Sequence, residues 1–222
     1  MLDAIGNGAH RVSEIGGRIG RPATSLSRPL ERLVGMGLIR REVPFGESEK
    51  QSRRSLYRID DPFLRLWFRI VAPHRGALAA VTPAGRLAIA RRHWPDLAAA
   101  GWEDMCRLSV PRIPRSEPLG RLGPRGPVSR WWLGSAPEWD LVAESLDGKR
   151  LLLGEAKWSA RPVKGAEVEG LARHVSQRPG PELATRYRTS KVARALFVPA
   201  VDGRPPSANG VLAVTAESLL AP

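Results

Sequence analysis

The stretch Trp139-Asp140-Leu141-Val142-Ala143-Glu144-Ser145-Leu146-Asp147-Gly148-Lys149-Arg150-Leu151-Leu152-Leu153-Gly154-Glu155-Ala156-Lys157-Trp158 reads as two strands joined by a tight turn. Asp-Gly between two apolar runs is a strong hairpin signal, because glycine accepts the positive φ such a turn needs. The pattern predicts strands over 139–145 and 150–158, with another over 128–133 before them. Side chains two apart on a strand share a face, so Glu155 and Lys157 project together. The turn folds the first strand back and brings Asp140 toward the same end. Two carboxylates and a lysine therefore converge. Carboxylates are the ligands of choice for Mg2+, with Mn2+ as a substitute, and one or two of them leave the metal open to water and phosphate. A lysine beside them can orient or help deprotonate the attacking water and offset charge in a phosphoryl transition state.

Working outward, 163–177 is helical, with Val163, Ala166, Leu171, Ala172 and Val175 on or near one face. Apolar strands over 191–199 and 210–215 and a short terminal helix follow, which describes an α/β or α+β domain. On the other side, helices are expected over 83–92 and 95–108. Residues 107–130 hold five prolines, three glycines and six arginines against one acid, Glu117, so an irregular basic loop is expected. Asp61-Pro62 opens a further helix, Asp61 capping and Pro62 at the first helical position, with Phe63, Leu66, Trp67 and Ile70 as a packing stripe.

Residues 1–60 read as three helices and a hairpin. A helix end over 1–7 stops at Gly6 and Gly8, and 12–19 is helical with Ser13 as a cap. A helix over 23–36 places Leu26, Leu30, Leu33 and Val34 on one face, and Pro29 is expected to kink or weaken it. Strands over 38–43 and 54–59 complete a winged helix-turn-helix. Its paired second helix would present Thr24, Ser25, Ser27, Arg28 and Arg32 outward to a major groove, and the wing carries Arg53 and Arg54. A winged helix serving only as a protein-interaction module remains open.

The 222 residues carry a formal net charge of +13, of which +7 lies before residue 90 and +6 after it. Such an excess suggests a polyanionic partner, and nucleic acid is the commonest. An apolar fraction of 42% and a charged fraction of 26% exclude wholesale disorder. The single cysteine, Cys106, excludes an internal disulfide and a zinc finger, fits a reducing compartment, and is expected to be buried and inert. No apolar run approaches a membrane span and Met1-Leu2-Asp3-Ala4-Ile5 is no signal peptide, so a cytoplasmic location is expected. The histidines His10, His74, His93 and His174 are scattered and lack metal-ligand spacing. Trp131, Trp132, Trp139 and Trp158 read as core and rim packing, with base stacking the other use.

The spacing Asp-x14-Glu-x-Lys across a strand turn resembles the PD-(D/E)xK nuclease superfamily, the fold of many restriction endonucleases, with Asp140, Glu155 and Lys157 on its motif. That superfamily often adds an acid on an early helix, where Glu103 stands here; Trp139 replaces the proline before Asp140. Residues 11–72, through Arg21-Pro22-Ala23-Thr24-Ser25-Leu26-Ser27, Arg41-Glu42-Val43-Pro44-Phe45-Gly46 and Tyr57-Arg58-Ile59-Asp60-Asp61-Pro62-Phe63-Leu64, look like the region after the ATPase domain in archaeal-type AAA-like ATPases. The resemblance implies a winged helix followed by a nuclease-like C-terminal domain. It departs in one respect: no G-x-x-x-x-G-K-[ST] stretch exists, so no ATP site of that kind is expected in this chain. The chain is then either a fragment of a longer ATPase or a shortened relative working alone or with an ATPase partner.

The expected architecture is α+β, with a winged helix-turn-helix over 1–60, a helical connector over 61–93 and a restriction-endonuclease-like α/β domain over 94–222. The expected function is DNA binding with magnesium-dependent phosphodiester hydrolysis. Asp140 and Glu155 would be the metal ligands, Lys157 would stand at the attacking water, and Glu103 would be an auxiliary acid. The alternatives are a non-enzymatic regulatory or partner-binding module of an ATPase system, and a winged-helix transcription regulator.

Overall fold

A computed structural model describes residues 1–203 and 208–221. The chain divides into two compact units, residues 1–43 with 47–97, and residues 44–46 with 98–222. The architecture is α+β. No helix among the described residues is long and apolar enough to cross a membrane.

In the first unit, α1 (Leu2–Gly6), α2 (Val12–Ile19), a 3-10 turn (Ala23–Ser25) and α3 (Ser27–Gly35) precede an antiparallel hairpin of β1 (Ile39–Glu42) and β2 (Leu56–Ile59). Its register runs from Ile39↔Ile59 to Glu42↔Leu56. Ile5, Ile15, Leu26, Leu30 and Ile39 are buried together and hold the helices on the hairpin. The start of α2 differs from the expected Ser13 cap. Ser13 lies inside the helix, and Glu14 reaches back so that its Oε2 accepts the N–H groups of His10 at 2.9 Å and Arg11 at 3.0 Å. Pro29 does not break a helix either. A 3-10 turn ends first and α3 starts at Ser27, so Pro29 falls in the first turn, where its missing N–H has no intrahelical partner to lose. Val34, expected on the buried face, is 37% exposed near the end of this short helix.

Asp61 caps α4 (Pro62–Leu66), its Oδ1 accepting the N–H of Leu64 at 2.8 Å with Pro62 at the first position. A π turn (Trp67–Val71), α5 (Arg75–Ala80) and α6 (Pro83–Ser109) follow. The two helices expected around Pro95 are one. Proline removes one helical hydrogen bond, yet good helix formers flank it, Arg91-Arg92 before and Leu97-Ala98-Ala99-Ala100 after.

The second unit is a five-stranded mixed sheet in the order β3-β4-β5-β6-β7. Strands β3 (Ser129–Trp131), β4 (Trp139–Glu144) and β5 (Leu151–Ala156) form an antiparallel meander. Helix α7 (Gly165–Gln177) then leads to β6 (Val192–Phe197), parallel to β5, and β7 (Val211–Val214) lies parallel to β6. Helix α8 (Ala216–Leu220) ends the described chain. Leu152 and Ala156 pack with Trp102 and Cys106 of α6, whereas Leu151 and Leu153 pack with Val168, Ala172 and Val175 of α7. Burial on both faces explains why this strand reads Leu-Leu-Leu rather than alternating. Cys106 is buried as expected, and burial pushes its thiol far up. Of the basic stretch 107–130, the first three residues end α6 and the last two open β3, and 110–128 between them are irregular apart from 3-10 turns at Val110–Arg112 and Gly120–Leu122.

Candidate functional site

The β4–β5 hairpin turns at Asp147-Gly148, with Gly148 at φ +66° and Asp147 Oδ1 accepting from the Ser145 hydroxyl at 2.6 Å. Its register pairs Glu144 with Leu151 and Leu141 with Gly154. The regular pairing ends there, and Asp140 and Glu155, the next residue on each strand, lie close enough for the charge of Glu155 to act on Asp140. Asp140 Oδ2 accepts the backbone N–H of Ala156 at 3.0 Å, which fixes its side chain against the neighbouring strand. Lys157, half exposed, places Nζ 2.7 Å from Glu155 Oε1. The three residues singled out by spacing therefore come together at the open end of the hairpin.

A fourth side chain belongs with them. Arg178, the C-cap residue of α7, pairs through Nη1 with Glu155 Oε2 and donates from the same nitrogen to the Glu138 carbonyl at 2.8 Å. Its guanidinium stands 5.2 Å from the centroid of the Trp139 ring. Nothing in the local sequence marks Arg178, because it lies 23 residues beyond Glu155 and arrives through the tertiary path of α7.

The two carboxylates have different environments. Burial pushes Asp140 up to about 7, helped by the negative charges of Glu155 and Glu103 and opposed by the Ala156 N–H. Burial acts in the same sense on Glu155, but the hydrogen bonds from Arg178 and Lys157, with their charges, together outweigh it and hold Glu155 below its ordinary value. Near neutrality one member of the pair carries charge more readily than the other. Glu103 on α6 is close enough to act on Asp140, yet its own Oε2 lies 3.5 Å from Arg107 Nη1. Arg107 also donates to the Asp140 carbonyl at 3.1 Å and pairs with Asp104 at 2.6 Å, tying α6 to β4.

Among the described residues, no group of three or more His, Cys, Asp or Glu side chains is gathered as a metal cage. Magnesium does not need one: it binds through one or two carboxylates and keeps most of its waters. Asp140 and Glu155, close enough for their charges to act on each other and with Asp140 destabilised as an anion, fit that requirement.

In the first unit, Thr24 and Ser25 lie on the 3-10 turn and Arg28 and Arg32 on α3, all exposed, opposite buried Leu26 and Leu30. The Ser25 hydroxyl donates to the Pro22 carbonyl at 2.8 Å and so serves its own turn. Arg53 and Arg54 are exposed in the β1–β2 loop, since β2 starts at Leu56 rather than at 54; Arg54 pairs with Glu47. Within 107–130, Arg125 is buried and donates to the carbonyls of Leu119 and Gly123, and Arg130 pairs with Glu138 at 3.2 Å. Arg112 and Arg115 are exposed. His74 and His93, far apart in sequence, have ring centroids 4.4 Å apart. Trp131, Trp132 and Trp139 are buried and Trp158 packs partly against the core. A cavity of about 300 Å3, lined by Leu122, Arg150, Lys191 and Leu212 among others, lies at the start of β5 and β6, the opposite end from Glu155.

No solved structure matches this chain. It is similar to an uncharacterized protein of Methanocaldococcus jannaschii, 26% identical over 175 residues, which make up 78% of this chain and 38% of that protein. The chain thus spans well under half the length of the curated relative it matches. Residues 67–170, which include Glu103, Asp140, Glu155 and Lys157 but none of the arginines on α3 or the β1–β2 loop, match the model of DUF234, archaeal and bacterial proteins of unknown function.

Proposed function

We propose that this chain binds DNA and that its second unit is a magnesium-dependent phosphodiesterase of the restriction-endonuclease-like kind. The observation that carries the reading is the Asp140–Glu155 pair with Lys157 beside it, at the open end of a hairpin followed by a helix and a parallel strand. Asp140 and Glu155 would hold the metal, which when bound supplies a Lewis acid and a water of lowered pKa. Lys157, half exposed, reaches solvent from Glu155 and orients the attacking water while its charge offsets that of the reacting phosphate. Glu103 is an auxiliary acid acting through the field at Asp140.

The first unit reads as a winged helix. Its apolar faces are spent on Leu26, Leu30 and the hairpin, leaving Thr24, Arg28 and Arg32 outward on the turn and helix and Arg53 on the loop. This is a phosphate-facing surface, and the net charge of +13 favours DNA as its partner.

The test is cleavage of single-stranded, duplex and branched DNA with Mg2+ or Mn2+. Asp140→Ala and Lys157→Ala should abolish cleavage while leaving DNA affinity measured without divalent metal nearly intact, because the arginine contacts to phosphate do not use those groups. A second reading has its own support: both Glu155 oxygens are already matched by cationic side chains, as in a site kept for structure. In that reading the chain is a regulatory module of an ATPase system, or a transcription regulator, in the cytoplasm. A wild-type protein inert on all three substrates favours it.

A further inference from the structure

Glu155 is 5% exposed, and each of its oxygens meets a different cation, Lys157 on Oε1 and Arg178 on Oε2. The two cations are anchored differently. Lys157 follows Glu155 on the same segment and moves with it. Arg178 comes from the end of α7, where the backbone has left the helix at ψ 129°, and rests on a carbonyl, a carboxylate and the face of Trp139. A carbonyl and an aromatic face hold a guanidinium without needing Glu155 as the sole counter-charge.

A divalent cation and a guanidinium cannot share Glu155 Oε2 without strong like-charge repulsion. Metal binding at Asp140 and Glu155 therefore requires Arg178 to release that oxygen. A guanidinium so released has a better partner in a phosphodiester, whose two oxygens match its planar fork.

Resting on the nuclease reading above, we propose that Arg178 is an exchangeable cation. Without DNA it neutralises Glu155 in the place the metal would take. When a DNA phosphate arrives, Arg178 passes from Glu155 to the phosphate and opens Glu155 to the divalent ion. DNA and metal then bind cooperatively, and substrate favours assembly of the site. Arg178 contacts phosphate in this scheme and Lys157 stays on Oε1. Linkage makes the coupling reciprocal: DNA tightens the metal by the same factor that the metal tightens DNA.

The test is Mn2+ affinity of the full chain, by calorimetry or Mn2+ electron paramagnetic resonance, with and without a phosphorothioate duplex that resists cleavage. Wild type should bind Mn2+ about tenfold more tightly with the duplex, within the usual range for coupled sites. Arg178→Gln should tighten Mn2+ binding in the absence of DNA and erase the gain from the duplex. Arg178→Lys should restore part of the competition against Mn2+, a rescue that a packing role would not produce. Mn2+ affinity that is unaffected by the duplex and unchanged in Arg178→Gln overturns the exchange while leaving the metal site standing. Absence of Mn2+ binding in wild type and in both variants, with or without DNA, overturns the exchange and the metal site together.

Discussion

Asp140 and Ala156 are joined across the hairpin, the side-chain Oδ2 of one accepting the backbone N–H of the other at 3.0 Å. The bond sits one residue beyond Glu155, so the strand that carries the second carboxylate is held in register by the first. Asp140 thereby has a structural duty, and its ionisation is linked to stability.

In the folded protein Asp140 keeps its proton up to about pH 7, whereas in the unfolded chain it loses it near the ordinary 3.8. Between those values the folded state binds more protons, so this group's contribution to stability is full below about pH 4 and is lost as pH rises through 7. Asp140→Asn retains an acceptor for Ala156 and removes the titration. In urea unfolding with EDTA, the variant should gain little on wild type near pH 4 and most at pH 8. Glu155, held low by its cations, acts in the opposite sense only below its ordinary 4.5. A stability gap that stays constant from pH 4 to 8 contradicts the linkage.

Gly154 precedes Glu155 and leaves room for a ring. A Cβ there would stand 2.7 Å from Phe197 Cε2 and 3.0 Å from Leu141 Cβ, both in fully buried side chains. Gly154→Ala should cost about 1–3 kcal/mol, as overpacking does. Thermal or urea unfolding reads this, and adding Phe197→Leu should recover part of the loss by vacating the contact.

Asp61→Ala removes the acceptor for the Leu64 N–H and should cost about 1 kcal/mol. Asp61→Asn keeps an acceptor and should cost a fraction of that. Equal losses in chemical denaturation would mean that the cap is not the reason this residue matters.

The arginines of the first unit should differ in their effect on DNA binding. Arg28, Arg32 and Arg53 are exposed, and each Ala substitution should lower the slope of log affinity against log salt by about 1 if it removes a phosphate contact. Arg54 is paired with Glu47 and should contribute less. Ser25 donates its hydroxyl to its own turn, so Ser25→Ala should leave sequence preference unchanged. Fluorescence anisotropy across a salt series measures all of these. Slopes unmoved by all four arginine changes would turn attention to exposed Arg112 and Arg115.

What the chain spells out locally is what its local geometry repeats. Apolar runs around Asp147-Gly148 specify a hairpin, two-residue alternation puts Glu155 beside Lys157, and Asp61-Pro62 marks a helix start, because each depends on neighbours within a few bonds. The approach of Asp140 to Glu155 was legible in part for the same reason: one tight turn sets the strands in register as far as Leu141 and Gly154, the immediate neighbours of the two carboxylates. Tertiary structure decided the rest. Helix α3 starts late enough to spare Pro29, and α6 runs through Pro95 with Trp102 and Cys106 packed in the core of the second unit. The meeting of His74 with His93, the burial of Arg125 in carbonyls, and above all the arrival of Arg178 on Glu155 join residues whose separation in sequence carries no period. The Arg178 contact depends on how α7 crosses the sheet and where it ends, and the free energy that fixes it comes from packing of Val168, Ala172 and Val175 on the strands rather than from the residues that meet.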